Sequence, residues 1–189
     1  KGVRYLPGPL KVYYCPIVPM TSNNASIPTF TATLPLIRSI LIREGIEIVH
    51  SHQATSPMAN ESIVYAGMMG ISSVYTDHSL FGFDDLASVI LNRVLQTTLC
   101  NVDAVICVSH TCRENFILRT RMTGSQLLSS RVLVIPNAVD PSKFAPEIQD
   151  DDSKPSRSNH SSRIKVVVVS RLVFRKGIDL LVGIIPVIC

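Results

Sequence analysis

"IEIVHSHQ" (Ile46–Gln53) decides how this chain is read. An apolar, β-branched run too short for a helix ends in two histidines. Gly45 lies just before it, the residue that ends helices in left-handed conformation. The preceding stretch therefore reads as a helix opened by Thr33-Leu34-Pro35 and running to about Glu44, with Thr33 as cap and Pro35 in the first turn. The same cadence repeats along the chain. A helix from about Ser56 to Met69 stops at Gly70, and "SSVYTDH" (Ser72–His78) follows as a strand. "DDLASVILNRVLQTTLC" (Asp84–Cys100) reads as a helix with Asp84 and Asp85 at its positive end. Its apolar rows are Leu86, Ile90, Val94 and Leu91, Leu95, Leu99. "DAVICVS" (Asp103–Ser109) and "RVLVIPN" (Arg131–Asn137) are two more strands. The helix between them is capped by Ser109, or by Thr111 with Glu114 completing a capping box. "LKVYYCP" (Leu10–Pro16) is a short strand near the start. Strands alternating with helices imply a doubly wound α/β domain, its parallel sheet covered on both faces. Ligands of such sheets gather beyond the carboxyl ends of the strands.

Composition excludes several classes. Of 189 residues, 46% are hydrophobic and 17% charged, which is globular rather than disordered. The net charge of +4 is too diffuse to argue for nucleic acid. Cys15, Cys100, Cys107, Cys112 and Cys189 are scattered and form no C-x-x-C pair, so they read as reduced thiols of a cytosolic compartment. No apolar run reaches the roughly 20 residues of a membrane span. Three N-x-S/T triplets, at Asn24, Asn60 and Asn159, read as chance occurrences. The polar stretch Pro146–Arg163 reads as a linker or surface insertion, and "IKVVVVS" (Ile164–Ser170) after it as a buried strand. The expected organisation is an N-terminal domain over 1–145, the linker over 146–163, and the start of a second domain over 164–189. Both domains are expected to be incomplete.

Two strand ends carry the chemistry. In "VVVVSRLVFRKGIDLL" (Val166–Leu181), Arg171, Arg175 and Lys176 crowd the start of a helix opened by Gly177. A helix N-terminus offers unpaired N–H groups and positive dipole charge, so added cations make a site for phosphate or diphosphate. The plainer reading is three solvated cations. At the other end, His50 and His52 share one side of a strand, and His78 ends the neighbouring strand. H-x-H with Asp77-His78 suggests a metal site, a sugar- or hydroxyl-binding site, or plain surface and capping histidines. Asp77 could also orient His78 by a hydrogen bond. In the same loop, Phe81 and Phe83 read as packing residues. The prolines and Asn137 of "VIPNAVDPSKF" (Val134–Phe144) suit a crossover between lobes.

Together these stretches resemble one family. "SRLVFRKGIDLL" looks like the donor-phosphate motif of retaining glycosyltransferases with two facing Rossmann-like domains, the GT-B type. "VIPNAVDPSKF", "IEIVHSHQ", "TDHSLFGFDD" and "VICVSHTCREN" look like the family's strand ends. The wording is nearest to the phosphatidylinositol N-acetylglucosaminyltransferases, from about Leu10 to Cys189 with a departure at Pro146–Arg163. That resemblance implies transfer of N-acetylglucosamine from UDP-N-acetylglucosamine to phosphatidylinositol, the first step of GPI-anchor synthesis. It implies retained anomeric configuration, a place on the cytoplasmic face of the endoplasmic reticulum membrane, and other subunits as partners. It further implies that Arg171, Lys176 and Gly177 hold the donor diphosphate, that His78 lies near the transferred sugar, and that Asp77 and Arg175 support them. No metal or cofactor is expected, and His50 and His52 receive no catalytic role. The glycine-rich loop, the paired glutamates and any anchor of that family are absent from the sequence, so the 189 residues alone are expected to be inactive. A GT-B enzyme with another acceptor, a non-catalytic nucleotide-sugar or phospholipid-binding subunit, and a metal-dependent hydrolase are the alternatives.

Overall fold

The computed structural model describes residues 2–15, 30–83, 86–122, 131–145, 166–170 and 176–188. The chain divides into two compact units, Lys1–Asp140 and Pro141–Cys189.

The first unit opens with a hairpin in which β1 (Gly2–Tyr5) pairs antiparallel with β2 (Lys11–Tyr14). β2 falls within the expected strand; β1 has no apolar run to announce it. Helix α1 spans Phe30–Arg43, so it begins three residues before the expected cap. Thr33 and Pro35 therefore lie inside it. Thr33 is buried within the helix and is not its first residue. Its hydroxyl bonds the Glu61 carboxylate and lies 3.0 Å from the Tyr65 hydroxyl, tying α1 to the next helix. At the other end Gly45 has φ +59°, its N–H reaches the Ile42 carbonyl, and the Ile46 N–H reaches the Leu41 carbonyl. This is a Schellman close, and it needs a left-handed residue. Gly45→Ala is expected to cost about 1 kcal/mol by forcing a Cβ into that conformation. A heat-unfolding midpoint unchanged by the substitution would count against this account.

Then the sheet begins: β3 (Ile48–His52), α2 (Pro57–Met69), β4 (Ser72–Asp77), α3 (Leu86–Thr98), β5 (Ala104–Cys107), α4 (His110–Thr120) and β6 (Val132–Val134). Ser56 caps α2 with its side chain, and Gly70 closes it at φ +69°. Ser109 caps α4, so Thr111 lies inside the helix and the box with Glu114 does not form. Asp84 and Asp85 lie outside the described residues.

The four strands are parallel and lie in the order β3-β4-β5-β6. The chain thus moves the same way at every crossover, and right-handed crossovers then put every connecting helix on one face. On that face Val49, Tyr75, Val105 and Val132 lie under Ile63, Leu95, Leu99, Phe116 and, from α1, Ile37 and Leu41. The opposite face carries Ile48, His50, Val74, Ala104, Ile106 and Leu133, and no helix covers it among the described residues. Among the described residues, cover is therefore found on one face of this sheet, where the apolar strands led us to expect it on both. The expected first row of α3 also differs: Leu86 and Ile90 are exposed, while Leu95 and Leu99 are fully buried.

In the second unit a 3-10 turn spans Pro141–Phe144 and helix α5 spans Ile178–Ile188. Val166–Ser170 form no strand, and Val169 is 93% exposed. A buried parallel strand needs partner strands beside it and helices over it. The described residues of this unit supply one helix, which is not enough to bury four valines.

Candidate functional site

The carboxyl ends of β3 and β4 bring the predicted histidines together. Strand alternation puts His50 and His52 on the uncovered face, opposite Val74 and Thr76 in register. His50 Nε2 lies 2.7 Å from the Thr76 hydroxyl. His52 Nδ1 lies 3.0 Å from His78 Nε2, and the two rings stack with centroids 5.3 Å apart. The His50 and His52 rings are 4.4 Å apart. Beside them Gln53 takes φ +78°, a conformation uncommon outside glycine. Its N–H bonds the Thr76 carbonyl, and its side-chain amide donates to the Ser79 hydroxyl at 2.8 Å. Gln53 therefore stitches the end of β3 to the loop that carries His78.

Asp77 does not serve His78. Consecutive residues leave a strand on opposite sides, so Asp77 turns to the covered face. There it forms an ion pair with Arg119 of α4, both side chains fully buried. Arg119 also reaches the Ser79 carbonyl at 3.5 Å and lies over the Phe81 ring at 5.1 Å. Burial raises the Asp77 carboxyl above its ordinary pKa, and the guanidinium opposes that shift. Cys107 nearby is pushed up to about 12 by burial, which leaves a neutral thiol with no nucleophilic character.

The loop after β4 is clamped from both neighbouring helices. Asn115 of α4 accepts from the Phe81 N–H at 3.3 Å and donates to the Phe81 carbonyl at 3.0 Å. Asn92 of α3 donates to the Gly82 carbonyl at 3.2 Å. His78 is thus held at the base of a loop fastened along its length. Phe81 packs against the core, as expected, whereas Phe83 is 51% exposed.

The second expected site lies in the other unit. Lys176 is exposed, and Gly177 at φ +72° precedes the first residue of α5 and accepts from the Leu181 N–H. A groove of about 420 Å³ there is lined by Ser170, Lys176 and Gly177 together with Val168, Leu181 and Ile184. Arg171 and Arg175 lie outside the described residues. Among the described residues no three His, Cys, Asp or Glu side chains form a metal cage. His52 and His78 turn their facing nitrogens to each other.

The family described as PIGA (GPI anchor biosynthesis) matches residues 1–85. A phosphatidylinositol N-acetylglucosaminyltransferase subunit of Homo sapiens is 48% identical over 189 residues, all of this chain and 36% of that protein. The corresponding subunit of Arabidopsis thaliana is 47% identical over 188 residues, 39% of its length. The gpi3 subunit of the same enzyme from Schizosaccharomyces pombe is 45% identical and is covered over 38% of its length. The chain is homologous to these transferase subunits throughout. It spans well under half the length of each. No helix among the described residues is long and apolar enough to cross a membrane.

Sequence reasoning on this transferase homologue missed Arg119, Asn115 and Asn92. One signal existed: Asn115 and Arg119 sit four apart on α4, on the side of a helix that also carries Phe116 and Cys112 inward. Polar residues beside a buried stripe need partners, and these find theirs in the loop after β4.

Burial first, then His50 and His78, hold the His52 imidazole below its ordinary pKa. The folded protein therefore favours neutral His52. That contribution to stability is complete above the unfolded value of about 6.5 and is lost as the pH falls through the lower folded value. Unfolding midpoints are expected to drop between neutral and mildly acid pH, and less so in His52→Asn. Identical pH slopes in the two proteins would contradict the sign.

Proposed function

We propose that this chain is part of the catalytic subunit of a retaining glycosyltransferase, which passes N-acetylglucosamine from UDP-N-acetylglucosamine to phosphatidylinositol as the first step of GPI-anchor synthesis. The observation that carries this reading is 45–48% identity to phosphatidylinositol N-acetylglucosaminyltransferase subunits along the whole chain. The enzyme is read as two Rossmann-like domains of GT-B type: an N-terminal acceptor-side domain over 1–145, a polar linker over 146–163 and a donor-binding domain from 164. It works on the cytoplasmic face of the endoplasmic reticulum membrane with partner subunits.

In this reading Arg171 and Lys176, with Gly177 and the N-terminus of α5, hold the donor diphosphate, and Arg175 supports them. The bond from the sugar's anomeric carbon to the β-phosphate breaks, and a bond to an inositol oxygen forms on the same face. The inositol hydroxyl proton passes to the departing phosphate. Negative charge grows on that phosphate, where fixed cations and helix N–H groups stabilise it without a metal. His78 bonds a hydroxyl of the transferred sugar. Asp77 contributes by anchoring, through Arg119, the loop that carries His78.

The acceptor is tested by giving membranes that contain the full-length enzyme labelled UDP-N-acetylglucosamine and a panel of lipids. Label is expected on phosphatidylinositol alone. Equal transfer to lipids without inositol would replace the acceptor, and no sugar transfer at all would favour a non-catalytic binding subunit.

A further inference from the structure

We propose that His52 is the positioning residue of His78: the contact between His52 Nδ1 and His78 Nε2 fixes the ring angle and the tautomer with which His78 meets the donor sugar. The proposal rests on the reading of His78 given above and extends it to a residue with no role there.

The two nitrogens are 3.0 Å apart and the rings are stacked, with planes 17° apart. Two neutral imidazoles joined nitrogen to nitrogen share one hydrogen, so their tautomers are locked together. If His52 donates, His78 keeps its proton on Nδ1 and that nitrogen is a donor. If His78 donates, its Nδ1 is an acceptor. A sugar hydroxyl accepts from the first form and donates to the second. Removing His52 unlocks the choice and frees the ring to turn.

The surroundings leave His52 as the side chain that does this. Asp77, the residue next to His78, is committed to Arg119 on the covered side of β4. His50 spends Nε2 on Thr76 and supports His52 from behind with its ring. The Gln53 N–H bonds the Thr76 carbonyl before His78, and Arg119 reaches the Ser79 carbonyl after it, so the backbone on both sides of His78 is already placed. What remains for His52 is the imidazole itself. No such role was legible in the H-x-H spacing.

The test is a double-variant cycle in the full-length enzyme, with rates normalised to the amount of protein present. His52→Ala is expected to lower kcat about tenfold, with the KM for UDP-N-acetylglucosamine changed less than about twofold. His52→Asn, whose amide replaces the Nδ1 group, is expected to recover most of the loss. His78→Ala is expected to fall at least as far, and adding His52→Ala to it should cost little more, because the pair acts as one unit. Full activity in His52→Ala, no recovery with asparagine, or losses that multiply in the double variant would each overturn the positioning role. Full activity in His78→Ala would instead overturn the reading of His78, and this proposal with it.

Discussion

Replacing Arg171 and Lys176 together by alanine in the full-length enzyme is expected to abolish measurable sugar transfer. Loss of one preorganised group that stabilises developing charge costs about 10²–10³ in rate. Two such groups on one diphosphate share the work, so the double loss is large though less than the product of the singles. Lys176 sits one residue before Gly177, whose left-handed backbone immediately precedes α5. Cations are disfavoured at that end of a helix, so an anionic partner is the physical reason to place one there. Lys176→Arg keeps the charge and should retain part of the activity, whereas Lys176→Met should not. Initial rates with labelled UDP-N-acetylglucosamine read the effect. A double alanine variant as active as the parent would overturn the assignment of Arg171 and Lys176 to the donor diphosphate.

The second large effect concerns stability. Arg119→Met is expected to destabilise the first unit by about 3–5 kcal/mol, because it strands the Asp77 carboxylate in a fully buried site. The pair is not richly satisfied: Asp77 Oδ1 and Arg119 Nε and Nη1 have no hydrogen-bond partner among the described residues. Its net worth over an apolar pair is therefore small, while the cost of breaking it is large. The companion variant Asp77→Leu with Arg119→Met should recover much of the lost stability. It should not recover activity in full, since Arg119 also holds Ser79 and Phe81 in the loop that carries His78. Heat unfolding and abundance of the full-length protein measure the first effect, and initial rates measure the second. A single variant within about 1 kcal/mol of the parent would mean the site admits water freely and the ion pair is incidental.

Much of the architecture was legible because it is written locally. β3, β4, β5 and β6 announce themselves as short β-branched runs, and Ser56, Gly70 and Ser109 mark helix ends by capping chemistry that acts over three or four residues. The meeting of His50, His52 and His78 was legible for a similar reason. A period of two and adjacent parallel strands suffice to bring them together. Where local chemistry offered two solutions the reading slipped. Thr33 is as good a cap as it is a buried hydroxyl, and only Glu61, 28 residues away, settles which it is.

Alone, then, the sequence determined the order and type of the elements around the sheet, the histidine cluster, and a kinship that 45–48% identity bears out. Tertiary structure decided which face of the sheet the helices cover, that Asp77 serves Arg119 and not His78, and that α3 and α4 fasten the loop after β4. Those outcomes depend on partners up to 42 residues apart. Side-chain pairing at that separation follows from where the chain returns in space, and spacing along the sequence carries no record of it.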